Sequence, residues 1–304
     1  MSAAPPQQRP ILALGVRIAA VAVLATLMAL VKLASQRGVA FVEIMFWRQV
    51  ITVPLLLGFV WMRGSLARLR TTRVVHHFRR AILGLAGMAM TFGSVILLPL
   101  AEAQALQFTA PLFATVLSVF MLKERVGPWR LSALFIGFAG ILIITQPGQV
   151  EIPPLGLAAG LGSAFAIALL SILIKDLNRS EEPLTIVFYF AAFTSPFLAL
   201  GLPFVDMGHD AGTWVLLGAM GLCGLVGQLL LTLALRLGPV SSVIVIDYTG
   251  LVWSALYGVV LFSQFPPAAT WIGATLIVVA GLLIVWREHS LHKEELHAEN
   301  MLGP

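Results

Sequence analysis

Polar side chains embedded in long apolar runs are where this chain could do chemistry, because an ionisable group in a hydrocarbon setting is costly and is kept for a reason. Asp247 lies about eight residues into the run 239–262, roughly 12 Å along a helix. Such a carboxyl is a candidate for gating or coupling, carrying a proton or holding a small-molecule ammonium. A hydrogen bond to a neighbouring helix is its structural alternative. Arg48 lies seven residues into the run 41–62. Its guanidinium keeps its charge and can take a carboxylate in a bidentate pair. Glu43 and Glu102 are its alternative, purely structural partners. Glu124, between Lys123 and Arg125, reads as an interfacial ion-pair residue.

Two further runs carry a small and polar stripe at helical spacing, Gly84, Gly87, Thr91 and Ser94 in one, Gly221, Gly224, Gln228 and Thr232 in the other. Spacings of three and four keep each stripe on one helical face. Glycines let backbones approach closely. Thr91 and Gln228 also need hydrogen-bond partners in a dry interior, which points to a shared polar pathway. Tyr248, with Trp47, Phe188 and Tyr189, could supply aromatic walls, although Trp47 also fits an interfacial belt.

The elements that must position these residues are transmembrane helices. Of 304 residues, 59% are hydrophobic and 11% charged, with a mean hydropathy of +0.95. Soluble domains carry about 25% charge, so this composition excludes a water-soluble fold, a disordered chain and a nucleic-acid binder. Ten apolar runs are long enough to cross a bilayer, at roughly 12–35, 41–62, 81–100, 103–122, 129–146, 155–175, 184–205, 212–235, 239–262 and 268–286. Continuous apolar runs, without period-2 alternation, exclude a transmembrane β-barrel. Residues 1–10 and 287–304 read as solvated tails. The lone Cys223 can form no internal disulfide.

With an inner N-terminus, Arg9, Arg17, six arginines in 63–80, Lys123, Arg125, Arg130, Lys175, Arg179, Arg236, Arg287 and Lys293 lie on the inner side. Only Lys32 and Arg37 lie outside. This asymmetry places both termini in the cytoplasm.

Self-comparison shows a repeat. An offset of 137 pairs Gly84 with Gly221, Gly87 with Gly224 and Thr91 with Gln228. An offset of 142 pairs Phe46 with Phe188, Thr52 with Thr194 and Pro54 with Pro196. Lys32 and Lys175 match at 143, and Gly140 meets Gly281 at 141. Two halves of five helices, 11–147 and 155–286, enter the membrane from opposite sides because five is odd. Inverted repeats of this kind are a transporter signature.

The run Ala103-x-Ala105, Pro111, Leu122-Lys123-Glu124-Arg125 and Gly137-x-x-Gly140 resembles the EamA repeat of the drug/metabolite transporter superfamily. Lys32 and Arg48 resemble that family's basic residues in the first and second helices. The likeness is weaker in the second half, where Tyr248 takes the place of Pro111 and Gln264 stands near a frequent glutamate. Ala25-Thr26 replaces the usual Trp-Gly. The resemblance implies a ten-helix bundle around a central cavity that exports small metabolites, amino acids among them, from the bacterial inner membrane.

The expected fold is therefore an all-α membrane protein of ten helices in two inverted repeats. Thr91, Gln228, Tyr248, Asp247 and Arg48 are its expected small-molecule contacts, in a lipid bilayer and with no cofactor. A passive channel or uniporter is the alternative. An intramembrane enzyme lacks residues, since the six histidines are expected in loops or tails and Asp247 has no second intramembrane aspartate. No phosphate-binding loop or metal cluster is present in the sequence. Substrate, energy coupling and oligomeric state are not legible at this level.

Overall fold

The computed structural model describes residues 10–62, 69–122, 128–145, 153–237, 246–283 and 286. Among the described residues twelve α-helices are delimited: α1 (Pro10–Gln36), α2 (Phe41–Val50), α3 (Thr52–Met62), α4 (Val74–Leu97), α5 (Leu100–Gln107), α6 (Ala110–Leu122), α7 (Pro128–Thr145), α8 (Pro154–Leu177), α9 (Pro183–Ala199), α10 (Ala211–Leu237), α11 (Gly250–Phe262) and α12 (Ala268–Leu283). They make the ten expected crossings, because α2–α3 and α5–α6 are each one span in two pieces.

The breaks have local causes. Pro54 cannot donate to the carbonyl of Val50, and the helix interrupts at Ile51. Pro111 leaves the carbonyl of Gln107 without its amide, and the turn falls at Phe108-Thr109. The ninth span, expected as continuous over 239–262, turns at Tyr248-Thr249 without any proline. Both turns share a device. The Thr109 hydroxyl donates to the Leu106 carbonyl and the Thr249 hydroxyl to the Ile246 carbonyl, each at 2.7 Å. The two breaks thus match at an offset of 140. Tyr248 corresponds to Phe108, and the sequence pairing of Tyr248 with Pro111 is corrected by three residues. The two matched rings meet edge to face, with centroids 5.0 Å apart.

Packing follows the inverted repeat. The first span lies along the eighth (α1 on α10), and the sixth lies along the third (α8 on α4). Exchanging the halves turns one pair into the other. In the same way α2 packs on α10 as α9 packs on α4, and α1 on α11 as α8 on α6. At the end expected to face outward a core of Leu27, Val31, Ile44, Met45, Phe92, Leu217 and Met220 joins both halves. Apolar side chains such as Phe135, Phe197, Val252 and Ile272 stay exposed and face the bilayer.

Polar contacts tie the halves at both ends. On the expected inner side, Arg73 pairs with Asp176 at 2.5 Å and donates to Ser180, while the Thr71 hydroxyl donates to Glu181. On the other side, the fully buried Glu43 accepts from Trp47 and lies 3.0 Å from His209 in the loop before α10. His77, expected in a loop, is instead buried in the first turn of α4, its ring 4.7 Å from that of Tyr189.

Candidate functional site

A cavity of about 560 Å³ opens between the two repeats, a size typical of small-molecule sites. Its lining runs along α1 from Arg17 to Met28, along α4 from Arg80 to Phe92 and along α8 from Ile167 to Lys175. The broken spans contribute Gln104, Phe108, Pro111, Asp247 and Tyr248, and α10 contributes Gln228 and Leu231. The lining stops short of the C-terminal end of α1 and the N-terminal end of α10, where the shared apolar core fills the space between halves. The space therefore occupies the middle of the bundle and the half towards the N-terminal end of α1.

Thr91, Gln228, Tyr248, Asp247 and Arg48, the five residues singled out from the sequence, all line this space. Their chemistry differs from the expectation in two places. Arg48 has no carboxylate partner among the described residues. Its Nη1 donates to Gln49 Oε1 at 2.7 Å and approaches the Met88 sulfur at 3.0 Å, its Nη2 reaches Gln228 Oε1 at 3.5 Å, and its Nε has no partner. Of its two expected structural partners, Glu43 is taken by His209 and Trp47, and Glu102 makes no ion pair with Arg48. Asp247, expected without a cation, accepts a bidentate pair from Arg17, Nε to Oδ1 at 2.6 Å and Nη2 to Oδ2 at 2.5 Å. Its partner is thus a side chain on a neighbouring helix, α1.

The glycine stripes make room for this arrangement. A Cβ on Gly84 would sit 2.7 Å from the Phe190 ring and 2.8 Å from Arg80 Nη1. One on Gly224 would sit 2.8 Å from Arg48 Cγ, and one on Gly221 would sit 2.5 Å from Ile51. Lys32, buried beside α4, donates to the carbonyls of Val95 and Leu98 and so satisfies the end of that helix. It is not part of the cavity lining. Of the aromatic residues expected as walls, Tyr248 alone lines the space, and Phe92, Phe108 and Phe190 complete it. Trp47 sits against Trp214 and Phe46 near the outer end, as a belt residue would. Glu124 falls outside the described residues.

Sequence reasoning missed much of the lining, including Arg17, Arg80, Lys175, Gln104, Gln107 and Phe190. Both arginines read as inner-side cations, although Arg17 falls within the first apolar run, and Arg80 is enclosed because α4 begins at Val74, ahead of the run that starts at 81. A signal was present. Arg80 precedes Gly84 by four residues, on the same face as Gly87 and Thr91. Phe190 matches Arg48 at the repeat offset of 142.

Comparison with known proteins agrees with this architecture. Residues 11–146 and 154–286 match the EamA-like transporter family. A riboflavin transporter of Vibrio cholerae is 29% identical over 262 residues, covering 86% of this chain and 88% of its own length. A pseudopaline exporter of Pseudomonas aeruginosa is 32% identical over 240 residues, 78% of this chain and 84% of its own. An S-adenosylmethionine uptake transporter of Rickettsia felis is 28% identical over 249 residues, 81% and 83%. A solved crystal structure at 21% identity shares the fold with a TM-score of 0.62, over 92% of this chain and 98% of that one.

Proposed function

The chain belongs to the EamA-like transporter family, and from that premise we propose that it exports small metabolites, amino acids foremost, across a bacterial inner membrane with both termini in the cytoplasm. Transport runs by alternating access of the two inverted repeats. The observation that carries this reading is the cavity between the repeats, lined through its middle and inner half and ending below an apolar outer core. A cavity between two related halves suits a carrier that alternates between them, whereas a pore needs a continuous path through. Relatives are named for riboflavin, pseudopaline and S-adenosylmethionine, and for uptake as well as export. Direction and cargo therefore rest on this chain's own site. Thr91 and Gln228, matched between the repeats, face the cargo from opposite halves, with Tyr248 and Arg48 beside them and the Arg17–Asp247 pair at the inner rim as the gating element.

The reading is tested by counterflow in proteoliposomes with a panel of labelled amino acids and other small metabolites. Labelled solute should accumulate transiently against an unlabelled internal pool. Thr91→Trp and Gln228→Trp should each abolish that uptake in protein that still inserts and elutes as the parent does. Uptake unimpaired by both changes removes these residues from the pathway, and flux without counterflow makes the protein a pore.

A further inference from the structure

The cavity is charged in one direction. Among the described residues lining it, Arg17, Arg48, Arg80 and Lys175 are cationic and Asp247 is anionic. Arg17 and Asp247 neutralise each other in their bidentate pair, which leaves Arg48, Arg80 and Lys175.

Two of these three are not solvated cations at a rim. Arg80 is 2% exposed and Arg48 is 6% exposed. Neither has a carboxylate partner among the described residues. Nε of Arg48 and both Nε and Nη1 of Arg80 are buried with no hydrogen-bond partner. What they share is the Phe190 ring, with the guanidinium carbon of Arg80 at 3.8 Å from its centroid and that of Arg48 at 5.6 Å. Both carbons therefore lie within about 9.4 Å of each other, close enough for one small molecule to reach both.

A cation–π contact returns about 0.5–2 kcal/mol, which does not offset the several kcal/mol of burying a guanidinium. Two like charges beside one ring add repulsion. Two buried guanidinium groups so short of partners within the protein suit an anion that arrives from outside. The guanidinium fork matches the oxygens of carboxylate and phosphate.

We propose that the cavity selects small metabolites carrying two negative charges on oxygen, either a pair of carboxylates, as in an acidic amino acid or another dicarboxylate, or one phosphate monoester, held by Arg48 and Arg80 across Phe190. This rests on the transport reading above and narrows its cargo. Arg48 and Arg80 belong to the first repeat and Phe190, at the position matched to Arg48, belongs to the second, so the anion is held from one half beside a ring that the other half supplies. Gly84 and Gly224 keep the space that the two guanidinium groups and the ring occupy.

The experiment uses the purified full chain in proteoliposomes, with counterflow of labelled glutamate, succinate, glycerol 3-phosphate, leucine and lysine. At least one dianion class should half-saturate at a concentration roughly ten- to hundredfold below leucine and lysine, the range for one charged hydrogen-bonding contact. Arg80→Gln and Arg48→Gln should each raise that concentration by a similar factor, and Arg80→Lys should restore part of it. Preference for glutamate and succinate assigns the carboxylate source, and preference for glycerol 3-phosphate assigns the phosphate source. Thermal stabilisation of the unsubstituted protein by the dianions and not by leucine is the second readout, independent of whether the variants fold. Leucine or lysine saturating as readily as every dianion, an Arg80→Gln value within twofold of the parent, or equal thermal shifts would each overturn the anion assignment and leave transport itself standing. Counterflow with none of the five solutes overturns both.

Discussion

Replacing Asp247 by Asn tests whether the Arg17–Asp247 pair holds the inner rim together. The pair joins α1 of the first repeat to the segment entering α11 of the second, with two N–O contacts of 2.5 and 2.6 Å. Its side chains are 9% and 32% exposed. Exposed pairs couple by about 0.2–1 kcal/mol, and removing one partner of a fully buried pair costs about 3–5 kcal/mol. Burial on the Arg17 side, with Asp247 a third open to solvent, puts the coupling near 1–2 kcal/mol. At about 2–4 °C per kcal/mol for a chain approaching this size, each single change should lower the melting temperature of detergent-purified protein by a few degrees. Arg17→Gln and Asp247→Asn combined should cost little more than either alone, because the second change removes a charge already stranded. Asp247→Asn should also leave the response of transport to an imposed pH gradient unchanged. Additive losses in the double variant, or a pH response abolished in Asp247→Asn alone, would refute the assignment of this pair as a gate held by its own ion pair and not by a transported proton.

Three other outcomes follow from the packing. Gly84→Leu should overpack the contact with Phe190 and Arg80, costing about 1–3 kcal/mol and depressing transport, whereas Gly218→Leu, where a Cβ meets nothing within 4 Å, should be tolerated; thermal stability and counterflow together read both. Glu43→Leu should strand the donor of Trp47 and lower stability by about 1–3 kcal/mol, read by thermal unfolding, with His209→Ala less harmful because its ring is the more exposed partner. In a Cys223→Ala background, single cysteines at Gln36 and Met207 should react with an impermeant thiol reagent added to intact cells and one at Thr72 should not; labelling of Thr72→Cys from outside would invert the topology.

Much of this was legible before any coordinates. Hydropathy counts spans because a bilayer demands about 20 apolar residues per crossing. The repeat emerges from matched Gly, Pro and Thr positions that reappear as matched packing pairs. The five polar residues flagged for sitting in apolar runs all reach the cavity, since such a side chain must turn away from lipid. What failed were judgements of partnership and of helix ends. Nothing in spacing links Arg17 to Asp247, which are 230 residues apart, and hydropathy windows cut helices short where a cation stands within the first turns, as at Arg80. The break at Tyr248 was hidden because its cause is a threonine bonding back to a carbonyl, for which no proline gives warning.

Access to Thr91 from each face of the membrane tests the central claim most directly. A single cysteine there (T91C in the Cys223→Ala background) stands in the middle of the cavity lining. In vesicles of defined orientation, an impermeant thiol reagent should reach it from the cytoplasmic face at rest. Adding transported solute should raise labelling from the outer face several-fold and lower it from the inner one. Labelling from both faces at once, independent of solute, would mean a continuous pore and contradict alternating access.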